Sequence, residues 1–312
     1  MNKQNFEVLE TERVNPETED IDKLNTYEIL KKINEEDKKV ALAVSKVLDK
    51  ISIVVDYCVD SIKSGGRVIY AGAGTSGRIG FIDAVEVVPT FGVSKDLFIP
   101  LIAGGDEALK SSIEEVEDMP ELGRNDAMKV KVNSKDVVIG ITASGRTPYV
   151  RGVLEYAKQQ GSKTALICNV SNPLLKDFAD VVISILTGPE VISGSTRMKA
   201  GTSQKMVLNM ISTTTMIKLG KVYKNYMVDV LVLNEKLRER AIRIIIQTTG
   251  VDYETAAHYL KESDNKTKLA ILMILSGKER EECEKVLEKF WNLKDALEYL
   301  KNINGGDGKN GK

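Results

Sequence analysis

The sequence is poor in the features that build disulfide frameworks, membrane spans and electrostatic surfaces. Its three cysteines, Cys58, Cys168 and Cys283, are odd in number and scattered, in no spacing that suits a metal or a redox pair. They read as buried thiols in a reducing compartment. A chain of 312 residues can bury enough apolar surface to stand without such staples, and its length predicts about two domains. No run of about 18 apolar residues occurs, and the polar, acidic start of the chain contains no apolar signal segment, so neither export nor membrane insertion is expected and the protein reads as cytoplasmic. Excess charge is missing as well: 44 Lys and Arg face 45 Asp and Glu, a formal net charge of −1. Nothing electrostatic recommends nucleic acid or an anionic membrane as partner. The single histidine, His258, reads as a surface or satisfied residue.

What is present is a regular alternation. After a polar lead, residues 25–63 carry apolar side chains at helical spacing, including Val40, Ala43, Val44, Val47, Leu48, Ile51 and Val54, until Ser64-Gly65-Gly66 breaks the pattern. One or two amphipathic helices are predicted there. Five short apolar runs follow, at residues 67–70, 97–102, 136–141, 163–168 and 180–185, each suited to a buried parallel strand. Helix-like stretches separate most of them, which predicts an α/β fold: a doubly wound parallel sheet with helices on both faces, from about Ser64 to Thr187. From Gly194 strand patterns cease, and residues 198–218 and 227–246 read as long helices whose methionines fill a core. Residues 251–302 read as about three short helices with start signals at Asp252 and Asp264, and residues 305–312 as a disordered tail. The expected organisation is an arm with helices over 1–63, an α/β domain with long closing helices over 64–246, a C-terminal helical module over 247–304, and the tail.

Two loops have the chemistry of phosphate sites. The first strand runs into Ala71-Gly72-Ala73-Gly74-Thr75-Ser76-Gly77-Arg78 ahead of a helix-forming stretch. Glycines let backbone approach an anion, hydroxyls donate hydrogen bonds, and a helix start offers unpaired N–H groups at the positive end of its dipole. Gly72, Gly74 and Gly77 also satisfy the dinucleotide pattern, but the acidic ribose partner would fall near Asp96, which begins the next strand instead of ending it. The third strand ends similarly, in Thr142-Ala143-Ser144-Gly145-Arg146-Thr147-Pro148, with the proline suited to a first helical turn. Ligands of open α/β sheets sit beyond the carboxyl ends of strands, where both turns lie. Tight turns with helix caps would explain either alone.

Two glutamates invite comparison. Glu86 sits among Ala84, Val85, Val87 and Val88, which could desolvate it and raise its pKa toward general-acid use, whereas Glu117, in Ile113-Glu114-Glu115-Val116-Glu117-Asp118, also suits a solvated helix. Spacing alone does not single either out as catalytic.

The stretches GRVIYAGAGTSGRIGFIDAVEVVPTFGV, IAGGDEAL, SIEEVED, GITASGRTPYV and GPEVISGSTRMKAGTSQKMVLNM, with LETERVNPETEDID before them, resemble the N-acetylmuramic acid 6-phosphate etherases, a family built on the sugar isomerase (SIS) domain. The likeness runs from about residue 9 to 246. It implies cleavage of the lactyl ether at C3 of a phosphosugar, with no metal or redox cofactor. It places the proton donor to lactate at Glu86 and the base that takes the C2 proton at Glu117. Relatives imply that Gly74, Thr75, Ser76, Ser144, Gly145 and Thr147 hold phosphate and sugar hydroxyls, and that Ser195, Thr196, Arg197 and Lys199 close the site. The chain departs from the family's D-A-S-E-C-P-P-T at Asp83-Ala84-Val85-Glu86-Val87-Val88-Pro89-Thr90, and from T-E-x-R-N-P at Thr11-Glu12-Arg13-Val14-Asn15-Pro16, which leaves the arm's role open.

The resemblance also implies a homodimer. Were Ser76 and Glu86 on one straight helix, they would lie about 15 Å apart, more than a hexose phosphate spans. The phosphate would then rest on the Ser144 loop, or Glu86 would serve an active site shared with a second subunit. Two other readings stay open: a sugar-phosphate sensor, which needs no acid at Glu86, and an aldose–ketose isomerase, which needs a C2 base but no ether-protonating acid. Against a DNA-binding sensor, no basic helix-turn-helix segment precedes the domain.

Overall fold

The computed structural model describes residues 9–113, 115–232 and 234–306. The chain forms two compact units, one made of residues up to Val85 together with Lys95–Ser212, the other of Glu86–Ser94 and the chain from Thr213 onward.

In the first unit, α1 (Thr26–Ser45) starts at a capping box: the Asn25 side chain accepts from the Glu28 N–H and the Glu28 carboxylate from the Asn25 N–H. Val40, Ala43 and Val44 of α1, then Ile51, Val54, Val55 and Cys58 of α2 (Leu48–Lys63), form the buried stripe that the helical spacing predicts. A five-stranded parallel sheet follows, built from β1 (Val68–Gly72), β2 (Phe98–Ile102), β3 (Val137–Ile141), β4 (Lys163–Cys168) and β5 (Val181–Ser184) in the order β2-β1-β3-β4-β5. Burial on both faces explains why the strands read as continuous apolar runs. On one face Ile69, Val138 and Leu166 meet Tyr149, Val150, Val153 and Leu154 of α6 (Pro148–Gln159), with Ala127 of α5 (Pro120–Lys129) in the same cluster. The other face receives α2 and α3 (Gly74–Phe91); Gly80 of α3 leaves room for Tyr70 and Ile141 alone. The short α4 (Glu107–Lys110) follows β2, and α7 (Lys199–Lys218) follows β5.

The order 2-1-3-4-5 places the topological switch between β1 and β3. Their ends are in register, Gly72 opposite Ile141, so the two hydroxyl-rich turns leave the sheet side by side. Asp96 precedes β2 and stands at the amino edge of the sheet, away from the place a ribose partner would occupy.

The second unit corrects the reading of the C-terminal third. Tyr226–Met227 (β7) pairs antiparallel with Val222–Tyr223 (β6), turning through Lys224 at φ +56°, so α8 begins later than predicted, at Glu235–Thr249. Four further helices follow in place of about three: α9 (Tyr253–Glu262), α10 (Thr267–Ser276), α11 (Arg280–Lys289) and α12 (Leu293–Gly306). The apolar α10 buries Leu269, Ala270, Ile271 and Leu272 among its neighbours. Asp252 caps α9 by accepting from the Thr255 N–H at 2.8 Å, whereas Asp264 adopts φ +52° and caps nothing, α10 starting at Thr267. Gly305 and Gly306, assigned to a disordered tail, lie in α12; residues 307–312 are outside those described. All three cysteines are buried, and His258 is exposed. Among the described residues no helix is long and apolar enough to cross a membrane.

Candidate active site

The turn after β1 closes through a contact that only glycine permits. A Cβ on Gly72 would lie 2.7 Å from the Gly77 nitrogen, and one on Gly77 would lie 2.7 Å from the Gly72 oxygen, so the first turn of α3 sits directly against the strand end. Thr75 and Ser76 are thereby presented at the start of an 18-residue helix. The second turn bends at Gly145, φ +67°, beneath Pro173, and delivers Thr147 to the start of α6.

These two turns border a cleft of about 350 Å³. Gly74, Thr75 and Ser76 line it from the first, and Thr142, Ser144, Arg146, Thr147 and Pro148 from the second. Glu117 and Asp118 enter from a 3-10 turn (Glu115–Asp118) whose Val116 packs into the core, and Thr196 enters from the segment before α7. Leu9 and Glu12 of the N-terminal arm complete the wall. Residues 9–18 of the arm are fastened: Leu9 packs with Cys168 and Val170, Glu10 accepts from the Ser171 N–H and hydroxyl, Asn15 donates to the Pro189 carbonyl, and Thr18 donates to the Val191 carbonyl at 2.8 Å. The arm, whose role the sequence leaves open, is part of the cleft.

The hydroxyls have unequal freedom. Ser76 is buried and donates to Gln204 Oε1 at 2.8 Å; Gln204 donates to Asn169, which donates to Ser203. Thr142, also buried, shares a 2.8 Å hydrogen bond with Thr147 and stands 3.4 Å from the Ser144 hydroxyl. Neutral donors and helix starts thus gather at one side of the cleft. Carboxylates from Glu12, Glu117 and Asp118 supply the acidic lining, and Arg146 is the only basic side chain among the described lining residues. Its Nε is buried without a hydrogen-bond partner.

Other expected residues stand elsewhere. Lys199 is turned away from the cleft: its ammonium is buried, 1% exposed, and donates to Glu36 Oε2 at 2.5 Å, while its own N–H and that of Ala200 are capped by the Glu190 carboxylate. It anchors α7 to α1 instead of lining the cleft. Burial pushes Glu36 up, but hydrogen bonds and charges from Lys199 and Lys39 outweigh it and hold the carboxyl below its ordinary range. Ser195 is half-buried and Arg197 exposed, neither lining the cleft; Gly145 shapes its turn without lining it. Glu86 is likewise absent from the lining and exposed. The apolar cover expected around it is not supplied by its own neighbours, because Ala84 and Val87 face inward and Val85 is 46% exposed. The helix α3 is continuous from Gly74 to Phe91, so Ser76 and Glu86 are about 15 Å apart along it.

On α3's buried side Asp83 ties two other residues into a polar knot. Asp83 accepts from the Tyr70 hydroxyl at 3.0 Å and from Ser212 at 3.1 Å, and burial raises its carboxyl despite these donors and Lys205.

Comparison with known proteins agrees with this architecture. The model of the glucokinase regulatory protein N-terminal SIS domain matches residues 50–158, and that of the SIS domain matches residues 108–214. An N-acetylmuramic acid 6-phosphate etherase from Petrotoga mobilis is 59% identical over 297 residues, 95% of this chain and 100% of its own length. Another from Pseudothermotoga lettingae is 60% identical, covering 93% of this chain and 97% of its own. The chain belongs to the N-acetylmuramic acid 6-phosphate etherase family. A phosphoheptose isomerase from Francisella tularensis overlays with a TM-score of 0.48 at 14% identity, covering 62% of this chain and 100% of its own, too distant a likeness to bear on activity. Of the two glutamates that the etherase resemblance implies, the cleft contains Glu117. Sequence reasoning passed over Arg146, Glu12 and Asp118 as site residues; a charged side chain inside a hydroxyl-rich loop was the available signal for Arg146.

Proposed function

We propose that the chain cleaves the D-lactyl ether of N-acetylmuramic acid 6-phosphate, releasing D-lactate and N-acetylglucosamine 6-phosphate. The observation that carries this reading is the convergence of two hydroxyl-rich strand-to-helix turns and Glu117 on one cleft, in a chain so similar throughout to etherases. The C6 phosphate rests against Thr75, Ser144, Thr147 and the starts of α3 and α6. In the ring-opened sugar the C1 aldehyde acidifies the C2 proton, which the Glu117 carboxylate removes. The electron pair forms the C2–C3 double bond, the C3–O bond breaks, and the Glu86 carboxylic acid protonates the departing lactyl oxygen. Water then adds at C3, giving a proton to the Glu86 carboxylate while the Glu117 acid returns one to C2, so both groups regain their starting states.

Glu86 reaches that chemistry from a second copy of the chain. Ile82, 59% exposed, and Val85 lie on the same face of α3 as Glu86, a stripe that a partner subunit would cover, desolvating the carboxyl as an acid requires. The protein is then a homodimer with shared active sites, each combining one subunit's Glu117 with the other's Glu86.

Incubation with N-acetylmuramic acid 6-phosphate in oxygen-18 water, followed by mass spectrometry, tests the reading. Lactate release with label at C3 is expected from the parent chain, and a fall in kcat of about 10²–10⁴-fold in Glu117→Gln and Glu86→Gln. Tight binding without lactate release would turn the reading toward a sensor; release without label at C3 would sink the elimination–addition route.

A further inference from the structure

Arg146 is left without employment by the chemistry above. It projects from the phosphate-type turn, lines the cleft together with Glu117, and is the one cation set against three carboxylates among the described lining residues. Its Nε is enclosed yet makes no hydrogen bond within the chain. An enclosed guanidinium donor without an acceptor is costly, and the acceptor that suits it is a planar carboxylate taken bidentately.

The substrate of the proposed reaction carries two anionic groups. Its phosphate can be met by hydroxyls and helix starts, which are neutral and plentiful along the two turns. Its lactyl carboxylate has no such provision: beside Glu12, Glu117 and Asp118 it would be repelled, and only Arg146 can compensate it. We infer that Arg146 recognises the carboxylate of the lactyl substituent, and so is the residue by which the cleft distinguishes the ether substrate from a sugar phosphate that lacks this group. The pairing also fixes the orientation of the leaving group, holding the C3–O bond where Glu117 can act on the adjacent C2. This assignment rests on the proposed etherase reading but is separable from it.

Equilibrium binding provides the separation. Affinities of the parent chain, Arg146→Gln and Arg146→Lys would be measured by calorimetry for N-acetylmuramic acid 6-phosphate, for its neutral carboxamide analogue and for N-acetylglucosamine 6-phosphate, with melting curves to verify folding. Arg146→Gln should weaken the acid about 10–100-fold, the scale of a charge-assisted pair, leave N-acetylglucosamine 6-phosphate within about twofold, and bind acid and carboxamide alike. The lysine variant should recover part of the loss, since it keeps the charge and loses the fork. The parent chain alone, preferring acid over carboxamide by a similar factor, tests the same claim should the glutamine variant fail to fold. Equal weakening of both sugar phosphates would assign Arg146 to the phosphate and overturn the inference, as would no preference for acid over carboxamide. Binding with the expected preference but no lactate release would leave the inference standing and remove the etherase reading; binding of none of the three compounds would remove both.

Discussion

Ser76 and Thr147 both bring a hydroxyl to the cleft, but their protons are placed differently. Ser76 already donates to Gln204, so a phosphate can take its backbone N–H without disturbing that chain, whereas Thr147 can accept from the buried Thr142 and keep its own proton for the ligand. Ser76→Ala should therefore cost mainly stability, about 1–3 kcal/mol for the unsatisfied Gln204 oxygen, with KM changed little; Thr147→Val should raise KM about tenfold, with a stability loss of about 1 kcal/mol because the buried Thr142 hydroxyl loses its 2.8 Å partner. Chemical unfolding beside steady-state kinetics separates the two. Lys199 carries a different expectation. Replacing it by Met leaves the buried Glu36 carboxylate with Lys39 as its remaining ion partner and should cost about 3 kcal/mol, the low end for a broken buried pair, most of it recovered when Glu36→Leu is added. Because the Glu36 carboxyl is held low in the fold, its contribution is present above the unfolded carboxylate range and is lost as pH falls through the lowered value, so the penalty of Lys199→Met should shrink in acid. Lysine in a glycine- and hydroxyl-rich motif reads as an anion ligand, and the sequence cannot reveal otherwise: its partner lies 163 positions earlier.

At the scale of elements, α3 carries the buried polar knot at Asp83. Asp83 has its carboxyl raised by burial, so the fold holds its proton to higher pH than the unfolded chain does; this lowers stability as pH rises from about 4 through the raised value. Asp83→Asn should remove that fall, and its stability relative to the parent should improve between acid and neutral pH in urea titrations. The five strands and the helices of the α/β unit were legible because a parallel strand covered on both faces leaves a run of apolar residues that no polar alternation interrupts. The hairpin Val222–Met227 was not, since two-residue strands carry no period, and the four helices after α8 were undercounted because α11 starts behind Glu279 with no side-chain cap. The two strand-to-helix turns were legible from their glycines and hydroxyls, although Gly145 shapes its turn without lining the cleft; the outward setting of Glu86 was not, because its apolar neighbours Ala84 and Val87 fall on the opposite side of the helix.

For the whole molecule, pairing is the decisive question. If two subunits complete each site, inactive Glu86→Gln and inactive Glu117→Gln chains mixed through unfolding and refolding should regain about a quarter of parental activity, half the dimers being mixed and half their sites intact. Verified mixed dimers with no recovery would confine each site to one chain. The arm offers a simpler handle. Between its anchored stretches the Arg13–Val14 bond lies at the surface, Val14 being 65% exposed, held by the Ser193 hydroxyl at the Glu12 and Arg13 carbonyls, while residues on either side are tied to Ser171 and Pro189. Trypsin meeting the empty protein would nick that bond and free the wall formed by Leu9 and Glu12, whereas a sugar phosphate seated against them would slow the cut. Occupancy of the cleft could then be followed as an undigested band on a gel, for compounds that are never turned over.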